Sequence, residues 1–323
     1  MKTIQIPGTD VICSNMCLGP ATLGALIDEK ASFEILDFYY ENGGNLLDTA
    51  HVYCDWLNMG KSTNEKLIGK WLTTRNLHHK MLVATKGGHY AFATPEVSRV
   101  TKKELLIDIQ ESLKYLQTEC IDFYWLHRDN LGLPAGEILE FLNDFKKQGL
   151  IKWFGGSNWT VERLKEAASY AESHKIQGLS GVQNLWTLAS VGAPLGDPTC
   201  VVSTQHDIQY YRESGLPLFA YTSQANGFFT KLAATGADSL PDHVKNTYLN
   251  QRNLHKLEVV KELASKYQCT INDIVLAYLT SQDFTCIPVF NCSRIEQLQD
   301  TLKCCDLRLS AQELASLELK DSR

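Results

Sequence analysis

Short apolar runs alternate along the chain with longer stretches whose apolar residues recur at helical spacing. The runs predict buried strands at 15–19, 45–48, 81–86, 121–127, 151–155, 179–183, 217–221 and 285–289. Helical periodicity predicts helices over 30–41, 63–72, 101–116, 137–147, 160–174, 206–213, 253–267, 271–281 and 294–302. Thr101 and Glu104 have the spacing of a capping box, and Leu105, Ile109, Leu113 and Leu116 follow on one face. Strands alternating with amphipathic helices require a parallel sheet with right-handed crossovers. Eight such units fit an α/β fold of the closed (β/α)8 TIM-barrel type, with residues 1–323 as one domain. An open dinucleotide-binding sheet fits less well, because no GxGxxG follows the first strand. Two longer stretches, 185–203 and 223–252, follow strands on the face where barrels carry their sites, and are expected to wall an active site.

Composition narrows the functional classes. The 323 residues are 44% hydrophobic and 21% charged, enough apolar material to offset the entropy of ordering. A net charge of −6, from 31 basic and 37 acidic residues, argues against a nucleic-acid binder, which needs clustered positive charge. Lys102-Lys103 and Lys146-Lys147 read as solvated helix faces. No apolar leader and no run long enough to span a membrane occurs, so a cytoplasmic protein is expected. The ten cysteines, at 13, 17, 54, 120, 200, 269, 286, 292, 304 and 305, contain no CxxC pair and no histidine at zinc spacing. They are expected to be reduced, with no metal.

Polar residues stand where strands end. Asp48 closes the second run, with Tyr53 shortly after; Lys86 closes the third and His127 the fourth. A barrel strand is apolar inside, so polar residues at successive strand ends are placed for chemistry. The set makes sense for adding hydride to a carbonyl, which leaves an alkoxide needing a proton. Tyr53 is the expected general acid in reduction and base in oxidation. The Lys86 ammonium lowers the tyrosine pKa, Asp48 holds Lys86, and His127 donates a hydrogen bond to the carbonyl oxygen. A serine-nucleophile reading fails because Ser157 sits in Gly-Gly-Ser-Asn rather than GxSxG. A kinase reading of His127-Arg128-Asp129 fails because Leu133 stands where the asparagine is needed.

Taken in order, Leu47-Asp48-Thr49-Ala50-x-x-Tyr53, Ala84-Thr85-Lys86, Leu126-His127-Arg128-Asp129, Gly155-Gly156-Ser157-Asn158, Val182-Gln183-Asn184 and Ala220-Tyr221-Thr222-Ser223 carry a resemblance. The chain resembles the aldo-keto reductases over nearly its whole length. The resemblance implies a barrel preceded by a short amino-terminal β-hairpin, around 2–12, and reversible reduction of an aldehyde or ketone by NAD(P)H. The Leu-His-Arg-Asp variant and the long loop after Asn184 are similar to a bacterial subgroup that often accompanies sugar metabolism. By the same resemblance, Ser157, Asn158 and Gln183 grip the nicotinamide carboxamide and Tyr221 stacks on its ring. The segment Thr222-Ser223-Gln224-Ala225-Asn226-Gly227-Phe228 would cover the pyrophosphate.

At the adenosine end the family places a basic residue soon after the Ile-Pro of the last strand. Here Arg294 is the nearest cation, and Gln297 stands where an arginine is expected. A guanidinium suits a bidentate phosphate contact, so Arg294 is the candidate and NADP is placed ahead of NAD. The substrate is expected to be a small carbonyl or alcohol. Trp56 and Tyr90 lead the candidates for its pocket, with His89, Phe92, Trp159 and Trp186 behind them. Arg128 and Asp129 fit either a hydroxylated, sugar-like substrate or a structural ion pair. The competing function is a non-catalytic nicotinamide-binding regulatory barrel.

Overall fold

The alternation of strand and helix is realised in the computed structural model of the chain, which describes residues 1–318 except 58 and 194. A hairpin opens it, with β1 (Thr3–Gln5) and β2 (Ile12–Ser14) paired antiparallel. There follow β3 (Cys17–Leu18), α1 (Glu29–Glu41), β4 (Leu46–Asp48), α2 (Thr63–Arg75), β5 (Leu82–Gly87), α3 (Lys102–Leu116), β6 (Ile121–Leu126) and α4 (Ala135–Lys147). The second half runs β7 (Ile151–Ser157), α5 (Val161–His174), β8 (Val182–Gln183), α6 (Gln205–Ser214), β9 (Leu218–Ala220), α7 (Phe228–Thr235) and α8 (Asp242–Tyr248). It closes with α9 (Gln251–Tyr267), α10 (Ile271–Thr280), β10 (Cys286–Phe290), α11 (Ile295–Lys303) and α12 (Ala311–Glu318). Strands β3 to β10 pair in parallel, and β10 joins both β9 and β3, so the sheet closes into a (β/α)8 barrel.

The pleat decides which residues enter the barrel, since neighbouring side chains on a strand face opposite ways. In β4, Leu46 joins the inner cluster while Leu47 packs outward with α1 and α2. In β6, Phe123 and Trp125 point in, and Tyr124 and Leu126 point out. Continuing the same alternation sends Asp48, Lys86 and His127 inward at the carboxyl ends of β4, β5 and β6. Below them Phe123, Trp125 and Phe219 fill the interior, and Ile6 and Cys13 of the hairpin region close its floor.

Gly155 and Gly156 lie within β7, which runs two residues beyond the predicted strand. A Cβ at Gly155 would lie 2.3 Å from the Trp125 ring inside the barrel, and one at Gly156 would lie 2.7 Å from Trp159 outside. Both glycines therefore make room for tryptophans, not for the approach of a ligand.

Three helices appear where none was predicted. The stretch 223–252 contains α7 and α8, and α12 follows α11. The first two, of eight and seven residues, span only about two turns, too few to establish a helical periodicity. They hold through burial of Phe228, Phe229, Leu232, Val244 and Tyr248. Thr101 caps α3 from its side chain, but Glu104 turns to Arg99 at 2.9 Å instead of completing the box. Among the described residues, no helix is long and apolar enough to cross a membrane.

Candidate active site

The segment after β4 brings Tyr53 back over the barrel mouth. Thr49 and His51 donate backbone hydrogen bonds to the carbonyls of Ala84 and Lys86, at 2.8 and 3.0 Å, extending the β4–β5 ladder past the strand end. Buried side chains finish the turn: Thr49 Oγ1 donates to Asn64 at 2.6 Å, and Ser62 Oγ to the His51 carbonyl at 2.6 Å. His51 faces away from the barrel, with Nε2 2.6 Å from Glu111. It stands inside the Asp48–Tyr53 motif yet serves as an anchor.

Lys86 lies at the centre. Its ammonium donates to Asp48 Oδ2 at 2.5 Å, the Thr49 carbonyl at 2.7 Å and the Tyr53 hydroxyl at 3.1 Å. All three ammonium protons are thereby used, which fixes the group despite its burial. Burial opposes the charge on Lys86, but Asp48 and Tyr53 outweigh it and leave its pKa above the ordinary lysine value. The second Asp48 oxygen accepts from Gln183 Nε2 at 3.0 Å.

For Tyr53 the balance differs from the sequence expectation. Burial raises its pKa; the Lys86 ammonium lowers it as expected but is outweighed, so the net position is above the ordinary tyrosine value. His127 follows β6, its N–H donating to the Gly87 carbonyl at 2.8 Å. Its ring lies 6.0 Å from that of Tyr53, edge to face, and its Nδ1 is buried without a partner. Burial, reinforced by Arg128, His89 and Lys86, holds its pKa well below the usual histidine value, so the imidazole is neutral at pH 7.

These four residues form one end of a cavity of about 720 Å³. Ser157, Asn158, Gln183, Tyr221, Thr222, Ser223, Gln224 and Gly227 continue its wall, and Asn272, Ser293, Gln297, Asp300 and Thr301 line it farther along. That size suits a large organic ligand.

The aldo/keto reductase family pattern matches residues 15–321. The chain belongs to the aldo/keto reductase family. With membership comes the reaction class: this is an enzyme for oxidoreduction between carbonyl and alcohol, in a family that typically uses NAD(P)H. The uncharacterized oxidoreductase YrpG of Bacillus subtilis is 24% identical over 322 residues, covering 98% of this chain and 95% of its own. Norsolorinic acid reductase B of Dothistroma septosporum is 24% identical, with 97% of this chain and 79% of the relative covered. An aryl-alcohol dehydrogenase of Pestalotiopsis microspora is 25% identical, with 97% and 80% covered. Among solved structures, a thermostable aldo-keto reductase in complex with the inhibitor epalrestat shares the fold with a TM-score of 0.73. It is 22% identical, and 98% of this chain and 99% of that one are covered.

Elsewhere in the reductase several expected residues are already engaged. Asn158 Nδ2 donates to the His127 carbonyl and to Ser157 Oγ, while its Oδ1 accepts from Tyr221 and Val201. Ser223 Oγ donates to the Val289 carbonyl, and Gln224 bridges Asn272 and Asn291. These bonds pin the 222–227 turn against β10 and α10. Gln297 lines the cavity and accepts from Ser293.

Arg294 does not line the cavity; it is exposed at the start of α11. Lys231 does line the wall, and its ammonium donates to the Asn226 carbonyl at 2.9 Å. No motif marks Lys231, because it belongs to the unpredicted α7.

The aromatic expectations divide. Trp56 packs edge-on to Tyr53 at 6.1 Å and is 46% exposed, while His89 lies 4.7 Å from His127 and 4.1 Å from Tyr90. Phe92 joins them at 5.6 Å from His89. Trp56 and Tyr90 thus border the mouth without lining the cavity. Trp159 and Trp186 are core residues: the first lies under Gly156 and the second packs on Tyr278 and Phe284. Arg128 and Asp129 do not pair with each other. Arg128 bonds Asp197 and Thr199 at 2.8 and 2.7 Å, and Asp129 bonds Arg163 at 2.7 Å. Tyr90 donates to the same Asp197 at 2.8 Å, so the 185–203 loop is fastened across the mouth.

Proposed function

We propose that the protein reduces an aldehyde or ketone to an alcohol with NADP(H) as cofactor, NAD(H) being the alternative, and that Tyr53 transfers the proton. The observation that carries this reading is the Asp48–Lys86–Tyr53 chain of hydrogen bonds at the end of the cavity, beside a neutral His127. The wall also has the chemistry a dinucleotide needs. Amides and hydroxyls of Ser157, Gln183, Thr222, Asn272 and Gln297 alternate along it, with the Lys231 ammonium among them. Gly227 takes the left-handed φ of 75° that this wall segment requires, a conformation that favours glycine.

The bound cofactor supplies the hydride. Tyr53 supplies the proton to the carbonyl oxygen, and Lys86 balances the tyrosinate left behind. His127, a neutral donor, orients the same oxygen. Ser157, Asn158 and Gln183 would hold the carboxamide, Tyr221 would flank the ring, and Thr222, Ser223, Gln224 and Gly227 would cover the phosphates. Lys231 takes the cationic role, with Gln297 at the adenosine end.

The substrate is proposed to be a small carbonyl compound entering past Trp56 and Tyr90. A hydroxylated, sugar-like one is the alternative, although Arg128 on the cavity wall is already bonded to Asp197, Thr199 and the His127 carbonyl. The test is a panel of aldehydes, ketones and ketosugars, each offered with NADPH and with NADH while cofactor oxidation is followed. Turnover with NADPH preferred, and with a preference that weakens in Lys231→Ala, is the expected outcome. Tight cofactor binding without turnover on any carbonyl would contradict it.

A further inference from the structure

Three metal-ligating side chains converge where the start of α10 meets the end of α11. Cys269 precedes α10, Asp273 lies in its first turn, and Cys304 follows the last residue of α11. Their two sulfurs and a carboxylate oxygen all lie within 4.8 Å of one another. Asp273 is 3% exposed, and its two oxygens have different fates. Oδ2 completes a capping box, accepting from Thr270 N at 2.8 Å and Thr270 Oγ1 at 2.7 Å. Oδ1 is buried and has no hydrogen-bond partner. The cap therefore explains half of this carboxylate and leaves an acceptor whose burial is unfavourable. Lys303, the neighbouring cation, is bonded to Asp300 at 2.8 Å. Both cysteines are only half-buried, which leaves a path for an ion from solvent.

We propose that Cys269, Asp273 and Cys304 bind a thiophilic divalent cation of the zinc class, with water as the fourth ligand. Two thiolates and one carboxylate suit a tetrahedral d10 ion, whereas magnesium and calcium call for oxygen ligands throughout. Binding forms two metal–sulfur bonds and one metal–oxygen bond and releases the two thiol protons to water. A disulfide between the cysteines would satisfy the sulfurs but leave Asp273 Oδ1 unpaired. The ion would tie α10 to α11 behind the cavity wall, where Asn272 Nδ2 already donates to Thr301 Oγ1 at 3.1 Å. Linear spacing hides this site, because Cys304 reaches Cys269 only after β10 and α11 have folded back.

The test uses the full-length reduced protein, stripped with a chelator and titrated with zinc chloride alone. Metal retained after desalting, cysteine alkylation mapped by mass spectrometry, and unfolding temperature are read together. The expected result is one zinc per chain, protection of Cys269 and Cys304 from alkylation, and a zinc-dependent rise in unfolding temperature. Cys304→Ala and Asp273→Asn should each lose the retained zinc and the rise, with the metal-free unfolding temperature of Cys304→Ala at the wild-type value. No retained zinc overturns the proposal. So does zinc retained equally by Cys304→Ala, or a Cys269–Cys304 disulfide in place of metal.

Discussion

Tyr53 shows how burial can outweigh a charged neighbour, and His127 how the two can act together. The sequence argument that an ammonium lowers a tyrosine pKa is correct in sign, and Lys86 does so here. Desolvation is the larger effect, so Tyr53 stays in its acid form beyond the ordinary range. His127 is displaced the other way and stays neutral. Together these shifts predict a pH profile for carbonyl reduction. The kcat/KM should show no inflection near ~6.5, the usual histidine value, and should not decline until above ~10, the usual tyrosine value. Steady-state kinetics across that range check it. A fall in rate around ~6.5 that disappears in His127→Gln would show that the imidazole titrates and donates as a cation.

Among the elements, the 185–203 loop is fastened to residues beside the cavity. It leaves and rejoins the barrel between Leu185 and Val202, which form a bridge, and its outer part is held by Arg128, Tyr90 and Thr199 around Asp197. Breaking those bonds should loosen the mouth and leave the Lys86 hydrogen bonds intact. Asp197→Asn is therefore expected to raise KM several-fold, with kcat within about 2-fold of wild type, since contacts outside the reacting atoms act mainly on binding. A matching fall in kcat with unchanged KM would instead place Asp197 in the chemistry. The element scale also separates what the sequence reveals from what it hides. All eight barrel strands are readable because each is a short apolar run between turns, and the pleat then gives the inward set Asp48, Lys86 and His127. Helices α7 and α8 are not, because seven or eight residues carry too little periodicity and Phe228 and Tyr248 fix them through tertiary contact. Lys231 is hidden with α7. Whether Arg294 faces the cavity is not legible either, because its side of α11 depends on how 291–294 turns after β10. The need for glycine at two positions of β7 is hidden too, because their partners, Trp125 and Trp159, become neighbours only in the fold.

At the scale of the whole molecule, buried ionisable groups narrow the range of pH in which the barrel is most stable. Burial, with Arg128 nearby, lowers the His89 pKa to about 4, and His127 moves in the same direction. The unfolded chain binds protons at these sites that the folded chain refuses, so stability falls as pH drops from ~6.5 toward 4. Glu65 acts in the opposite sense. Burial raises its carboxyl to about 7, so the folded state keeps a proton that the unfolded state loses, and this stability is lost as pH rises through about 7. A maximum in unfolding temperature between the two limits is expected, and Glu65→Gln should flatten the alkaline side. An equal loss at every pH in that variant would mean that Glu65 is ionised in the fold.

Proton transfer from Tyr53 at the end of this cavity is the step on which the proposed reaction depends. It is tested most directly by comparing wild type with Tyr53→Phe on one reducible carbonyl, with cofactor affinity measured in both. In Tyr53→Phe, kcat should fall by about 10²-fold or more, the scale of general acid catalysis, while the cofactor dissociation constant stays within a few-fold. Equal rates in the two proteins would contradict it.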